Sequence, residues 1–196
     1  KSAAVSMIRA GKLFGGLAIA LGGLCLAQAA YIPAKAKAGE MLLSRAWAKS
    51  QNTGAPVLPW PSMDALPLAK LSAPRLGVSE IILNAGTGQA MSFAPAHLEL
   101  TPPPGQPGLS VIAAHKNTHF AFLEHIKTGD IIEIENIDGG IHRFKITRLV
   151  IADKDNSGID LNAPKHRAQI ALVTCYPFSA LSYGGPLRYI AYADAL

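Results

Sequence analysis

The chain is poor in cysteine, poor in charge, and lacks any run of basic residues. Of its 196 residues only Cys25 and Cys175 are cysteine. One disulfide is the most they could form, and their placement argues against it. Cys25 lies inside an apolar N-terminal run; if that run is in a bilayer, its thiol cannot meet Cys175 in a soluble domain. Cys175 therefore reads as a free thiol. Charged residues make up 16% of the chain and leave a net charge of +5, with no Lys/Arg cluster. That pattern excludes a basic nucleic-acid arm and suits work beside anionic lipid or cell-wall polymer. No internal repeat and no low-complexity tract is present. The length accommodates one ordinary domain plus an accessory segment.

What the chain does contain begins with that apolar run. Leu13 to Ile32 reads LFGGLAIALGGLCLAQAAYI, with Gln28 its one strongly polar residue. A helix of this length spans about 30 Å, the thickness of a hydrocarbon core. Lys1, Arg9 and Lys12 precede it, and Tyr31 closes it at interface depth. The rival reading is a cleaved signal peptide, because Ala27–Ala29 has the small-x-small form of a cleavage site. A membrane anchor is the expectation. Lys35, Lys37, Arg45 and Lys49 follow the run, so flanking charge does not decide topology.

Three segments are expected. Residues 1–33 form the anchor. Residues 34–67 form a helix-prone stretch and a linker, with four prolines between Ser50 and Pro67. Residues 68–196 form the folded domain, beginning near Leu68. Its candidate strands are Lys70–Leu76, Glu80–Leu83, Leu109–Ala113, Ile131–Asn136, His142–Ala152, Gln169–Thr174 and Leu187–Ala193, each bounded by turn residues. Asp138-Gly139-Gly140 marks a hairpin. One short helix is expected at Phe120–Ile126, with Thr118 as its N-cap. Many short strands and few helices predict a mostly β fold, a closed or nearly closed barrel, behind an N-terminal transmembrane helix.

The chemistry-bearing candidates are a thiol, an imidazole and a guanidinium. A thiolate can attack a carbonyl, and a neighbouring imidazole can hold or take its proton. Of six histidines, His115 is placed best, at the end of the strand-like run LSVIAA. Cys175 ends the run QIALVT. Arg188 lies just past the following turn, where an antiparallel return brings it beside Cys175. A guanidinium there would stabilise the oxyanion that thiolate attack creates, or align substrate carbonyls. His97 and His166 read as turn residues, His142 as a surface residue, and His119 and His125 as packing residues. His115 and His119 have helical metal-ligand spacing, but Lys116 stands where a zinc protease would carry glutamate, so no metal site is expected. By default, a cysteine at a strand end is a small buried hydrophobe and an arginine on a strand is solvated; those readings stay open at this point.

Ala171–Cys175, reading ALVTC, resembles the TLxTC signature of sortases. The histidine strand before it, the arginine strand after it and the N-terminal apolar segment occur in the same order in that family. Tyr31–Ala36, Pro59–Pro61, Pro74–Val78, His115–Phe120, Leu172–Phe178 and Gly184–Tyr189 resemble segments of the sortases of Gram-negative bacteria, class GN. Ala171 replaces the first threonine of the signature, and Ala114 stands where many relatives have glycine. Neither change removes a reacting group.

The resemblance implies a sortase-type β-barrel and a cysteine transpeptidase. It implies that Cys175 attacks an LPxTG-like sorting signal to form a thioester, and that His115 protonates the leaving amine and deprotonates the incoming one. Arg188 would stabilise the oxyanion, and Thr174 would help orient the substrate. It implies a protein substrate, an amine acceptor and membrane lipid as partners, with no nucleic acid and no cofactor. The location implied is a cell inner membrane, crossed once, with the catalytic domain in the periplasm. Two alternatives are a different cysteine hydrolase or peptidase and a non-catalytic, membrane-tethered β-barrel that binds peptides. Papain-like chains place cysteine before histidine, the reverse of the order here. L,D-transpeptidases carry an SxGC-type motif that is absent here.

Overall fold

The structure, a computed structural model, describes residues 2–160, 166–180 and 184–196. The first element is one continuous helix, α1 (Ser2–Thr53), which runs through Pro33. The helix-prone stretch after the apolar run thus continues the same helix. Its described part Ile19–Thr53 is long and apolar enough to cross a bilayer. Ile19, Leu21, Leu24 and Leu26 are exposed along it.

The chain forms two compact units, the second running from Leu42 to Leu196. That unit starts well before the expected boundary at Leu68. The reason is a small core in which Leu43 of α1 packs with Met63, Ala65 and Leu83. The Pro-rich segment therefore contributes buried apolar side chains. Buried Ser50 helps to fix the turn out of α1: its Oγ donates to the Ala46 carbonyl at 2.8 Å and accepts the Val57 N–H at 2.9 Å.

The remaining elements are β1 (Pro67–Ala73), β2 (Val78–Leu83), the short α2 (Gly88–Met91), β3 (Ala96–His97), β4 (Gly108–Ala113), β5 (Ile131–Asn136), β6 (Ile141–Asp153), β7 (Ala168–Tyr176) and β8 (Leu187–Ala195). The strands close into a barrel in the order β1-β2-β3-β4-β7-β8-β6-β5, with β5 returning to β1. Alternation along each strand sends one set of side chains inward. Leu71, Ile82, Ile112, Ile134, Phe144 and Leu172 are fully buried in that interior.

The opposite face of β4, β7, β8 and β6 carries a second cluster, in which Val111, Ala171 and Ile190 are buried and Ile159 packs against them. Topology explains the cover. Both β6 and β7 run antiparallel to β8, so they are parallel to each other and joined by a crossover. Ile159 belongs to that crossover.

Several local expectations shift. Strand β1 ends at Ala73, and Pro74–Leu76 form a 3-10 turn, because proline lacks the N–H a ladder needs. The expected helix is a 3-10 turn at Ala121–His125 whose N-cap is Phe120, with no side-chain cap. The two-residue β3 escaped the sequence reading. His97, read as a turn residue, lies in it at 4% exposure. Its Nε2 is 3.0 Å from the Pro102 carbonyl and must donate to it, so Nε2 carries the proton. Burial lowers the His97 pKa and favours the neutral ring.

Candidate active site

The site is built where β4, β7 and β8 lie side by side. Strand β7 is the middle one. On one side it pairs antiparallel with β8, and Cys175 stands directly opposite Arg188. On the other side it pairs in parallel with β4, through Ala113 opposite Val173. Two bonds carry that pairing further. The Ala114 N–H donates to the Val173 carbonyl at 3.2 Å. The Thr174 hydroxyl donates to the Ala114 carbonyl at 2.7 Å. Continued one step past these bonds, the same register would set His115 level with Cys175. Neighbouring strands are about 4.8 Å apart, so Cys175 and Arg188 sit side by side, and the continued register would add His115 on the other side of the thiol to complete a transverse row.

Side-chain alternation gives the row its face. Ala114 and Thr174 are buried, at 4% and 2% exposure. Their neighbours His115 and Cys175 emerge on the other side of the wall and are half-buried, as is Arg188. Of the sequence candidates, Cys175 and Arg188 are direct neighbours, and His115 follows two residues after Ala113, the last residue of β4 paired to β7. Thr174 faces inward and touches the row through the backbone.

Each end of the row has local support. The Phe120 N–H donates to the His115 carbonyl at 3.1 Å, closing the loop over a fully buried Phe120. In that loop His119 Nδ1 lies 2.9 Å from Glu80 Oε2 of β2. Arg188 Nη1 donates to the carbonyls of Gly185 and Leu187, both at 2.9 Å, which turns the guanidinium back toward the β7–β8 connection. On the inward side Tyr189 stacks on Tyr176 with ring centroids 6.2 Å apart and meets Phe178 edge-on at 5.2 Å. Burial, reinforced by Tyr176, raises the Tyr189 pKa and keeps its phenol neutral.

A cleft of about 410 Å³ lies elsewhere on the outer face, between Leu109, Arg148, Gln169 and Tyr192. Gln169 is six residues from Cys175 along β7, about 20 Å at strand rise. The cleft is therefore not the row's own groove.

The sortase-domain family model matches residues 71–196, from β1 to the C-terminus. The chain belongs to the sortase family. Solved sortases share its fold. The Sortase D5 transpeptidase of Clostridium perfringens is 24% identical with a TM-score of 0.58, over 66% of this chain and 79% of that one. Sortase C1 of Streptococcus agalactiae is 21% identical with a TM-score of 0.58, over 66% and 69%. Sortase A of Corynebacterium diphtheriae is 22% identical with a TM-score of 0.59, over 69% and 63%. No curated protein matches the chain. The closed barrel expected from the strand pattern is thus the sortase barrel.

Proposed function

We propose that this sortase is a membrane-anchored cysteine transpeptidase acting on an LPxTG-like sorting signal, of the class GN type found in Gram-negative bacteria. The observation that carries the reading is the row of His115, Cys175 and Arg188 on one partly exposed face. Cys175 passes its proton to His115, and the thiolate Sγ attacks the scissile carbonyl carbon. Arg188 stabilises the resulting oxyanion or aligns the substrate backbone. The C–N bond breaks, the leaving amine takes a proton from His115, and a thioester remains. An acceptor amine then attacks that thioester, His115 takes its proton, and Cys175 leaves as the thiolate. A thioester suits this exchange because an amine captures it readily. Thr174 acts on the scissile region only indirectly, its buried hydroxyl holding the Ala114 carbonyl next to His115.

Residues 1–33 are the anchor in this proposal, and residues 34–67 connect it to the catalytic domain of residues 68–196, the part from Leu42 onward being packed into that domain's compact unit. The anchor places the domain on the periplasmic side of the inner membrane. Substrates with a membrane segment of their own then share a surface with the enzyme, which raises their effective concentration.

The test is a mass measurement on the full chain in detergent, given an LPxTG-like peptide and an amine. Wild type is expected to yield the amine-exchanged product, and Cys175→Ala none. Product from water alone would favour a cysteine hydrolase. The absence of any acyl-enzyme would favour a non-catalytic barrel.

A further inference from the structure

We propose that Lys116 is a positioning residue of this site, its ammonium stapling the turn that follows Cys175 to the loop that begins at His115. The inference rests on the reading of His115 and Cys175 as the reacting pair. Lys116 Nζ donates to the Pro177 carbonyl and to the Ala180 carbonyl, each at 2.7 Å. The Ala180 N–H also donates to the Pro177 carbonyl, at 3.3 Å, so residues 177–180 close a turn. Lys116 holds that turn at both ends.

The chemistry suits a staple. An ammonium has three donors and no acceptor, so it can engage two carbonyls and keep one N–H for solvent. Charged donors make hydrogen bonds roughly twice as strong as neutral ones. The partners are 61 and 64 residues away in sequence, so the bonds fix tertiary position rather than local conformation. Among the described residues Lys116 has no carboxylate partner, unlike Lys37 or Lys154.

The position matters for the row. Lys116 is adjacent to His115, and the turn begins two residues after Cys175. Strand pairing fixes the backbone at Cys175 and Arg188. The turn between them lies outside that pairing. An extended peptide crossing the row needs that flank held before it binds, since ordering it on binding costs affinity.

The experiment compares wild type, Lys116→Met and Lys116→Arg as full chains in detergent. The first readout is hydrogen exchange at the amides of Phe178 to Ala180. Lys116→Met is expected to speed it about tenfold or more, the worth of hydrogen bonds to a charged group. Exchange at Ile112 and Leu172 should stay unchanged, which shows an intact barrel. Lys116→Arg is expected to restore most of the protection. The second readout is turnover of a sorting-signal peptide. The KM of Lys116→Met is expected to rise about tenfold with kcat little altered. The third is the pH dependence of Cys175 alkylation, expected to be the same in all three proteins. Unchanged exchange in Lys116→Met overturns the proposal. So does a displaced alkylation curve with unchanged exchange, because the charge would then act on the thiol directly. Failure of wild type to turn over the peptide would sink the functional reading instead, while exchange would still decide the staple.

Discussion

Cys175 and Arg188 are direct cross-strand partners in the antiparallel pair of β7 and β8, so their side chains leave the wall on the same face. Both carbonyl contacts of the guanidinium fall on Nη1. Nε and Nη2 make no hydrogen bond to a described residue and stay available to a developing oxyanion. Arg188→Ala is expected to lower kcat by about 10²–10³-fold, the usual effect of removing an oxyanion donor. Arg188→Lys should recover only part of that, because a point charge lacks the planar fork. Steady-state peptide exchange checks both, and near-normal turnover in Arg188→Ala would remove the role.

Thr174 works from the other side of the wall. Its hydroxyl satisfies the Ala114 carbonyl at 2.7 Å in a buried setting, one residue before both His115 and Cys175. Thr174→Val keeps the shape and deletes the donor. It is expected to destabilise the fold by about 1–3 kcal/mol, the cost of leaving a buried acceptor unpaired. Denaturant titration reads this directly. Turnover should fall as well, because the bond ties Ala114, the residue before His115, to Thr174, the residue before Cys175. Wild-type stability in Thr174→Val would show that the bond carries no weight.

The acid limb of stability should involve Arg75 and Asp130. Arg75 Nε and Nη2 reach the two carboxylate oxygens at 2.5 and 2.6 Å, and the Lys127 N–H donates to the same carboxylate at 2.7 Å. The bond from Arg75, aided by the Lys127 N–H, holds the Asp130 pKa below its ordinary value. A depressed folded pKa means the unfolded chain takes up the proton first. This contribution is therefore complete above about pH 4, the ordinary aspartate value, and is lost as pH falls through the folded pKa. Asp130→Asn should remove that component. Denaturation curves between pH 2 and 6 would then show a shallower acid slope in the variant; an unchanged slope would dismiss the pair.

Much of this arrangement was legible because it is local. Two apolar runs around a Gly-Pro turn announce an antiparallel pair, and that pair sets Cys175 against Arg188. Asp138-Gly139-Gly140 likewise announces the β5–β6 hairpin, where the Asp138 side chain accepts the Gly140 N–H at 2.9 Å. What stayed hidden depends on distant partners. Strand β3 has two residues, too few for any periodicity. Leu43 and Met63 gain meaning only when α1 meets the Pro-rich segment. The parallel pairing of β4 with β7 joins residues 60 positions apart, and no turn signal marks it. Lys116 looked like a misfit in a metal motif. Its two carbonyl partners lie beyond three intervening strands.

Gly105 offers a test of the barrel away from the row. Its φ of +96° lies in the left-handed region, and an added Cβ would come within 2.6 Å of the His142 ring. The ring therefore packs on the space where a side chain would stand. Any L residue at 105 must adopt a strained backbone and push His142 aside. Gly105→Ala is expected to destabilise by more than about 1 kcal/mol. The strain and the displaced ring can be separated. The double variant Gly105→Ala/His142→Ala makes room for the Cβ, so it should show a smaller penalty relative to His142→Ala than Gly105→Ala shows relative to wild type. Denaturant midpoints of the four proteins give that difference. Equal penalties in the two backgrounds would assign the whole effect to the backbone and none to the ring.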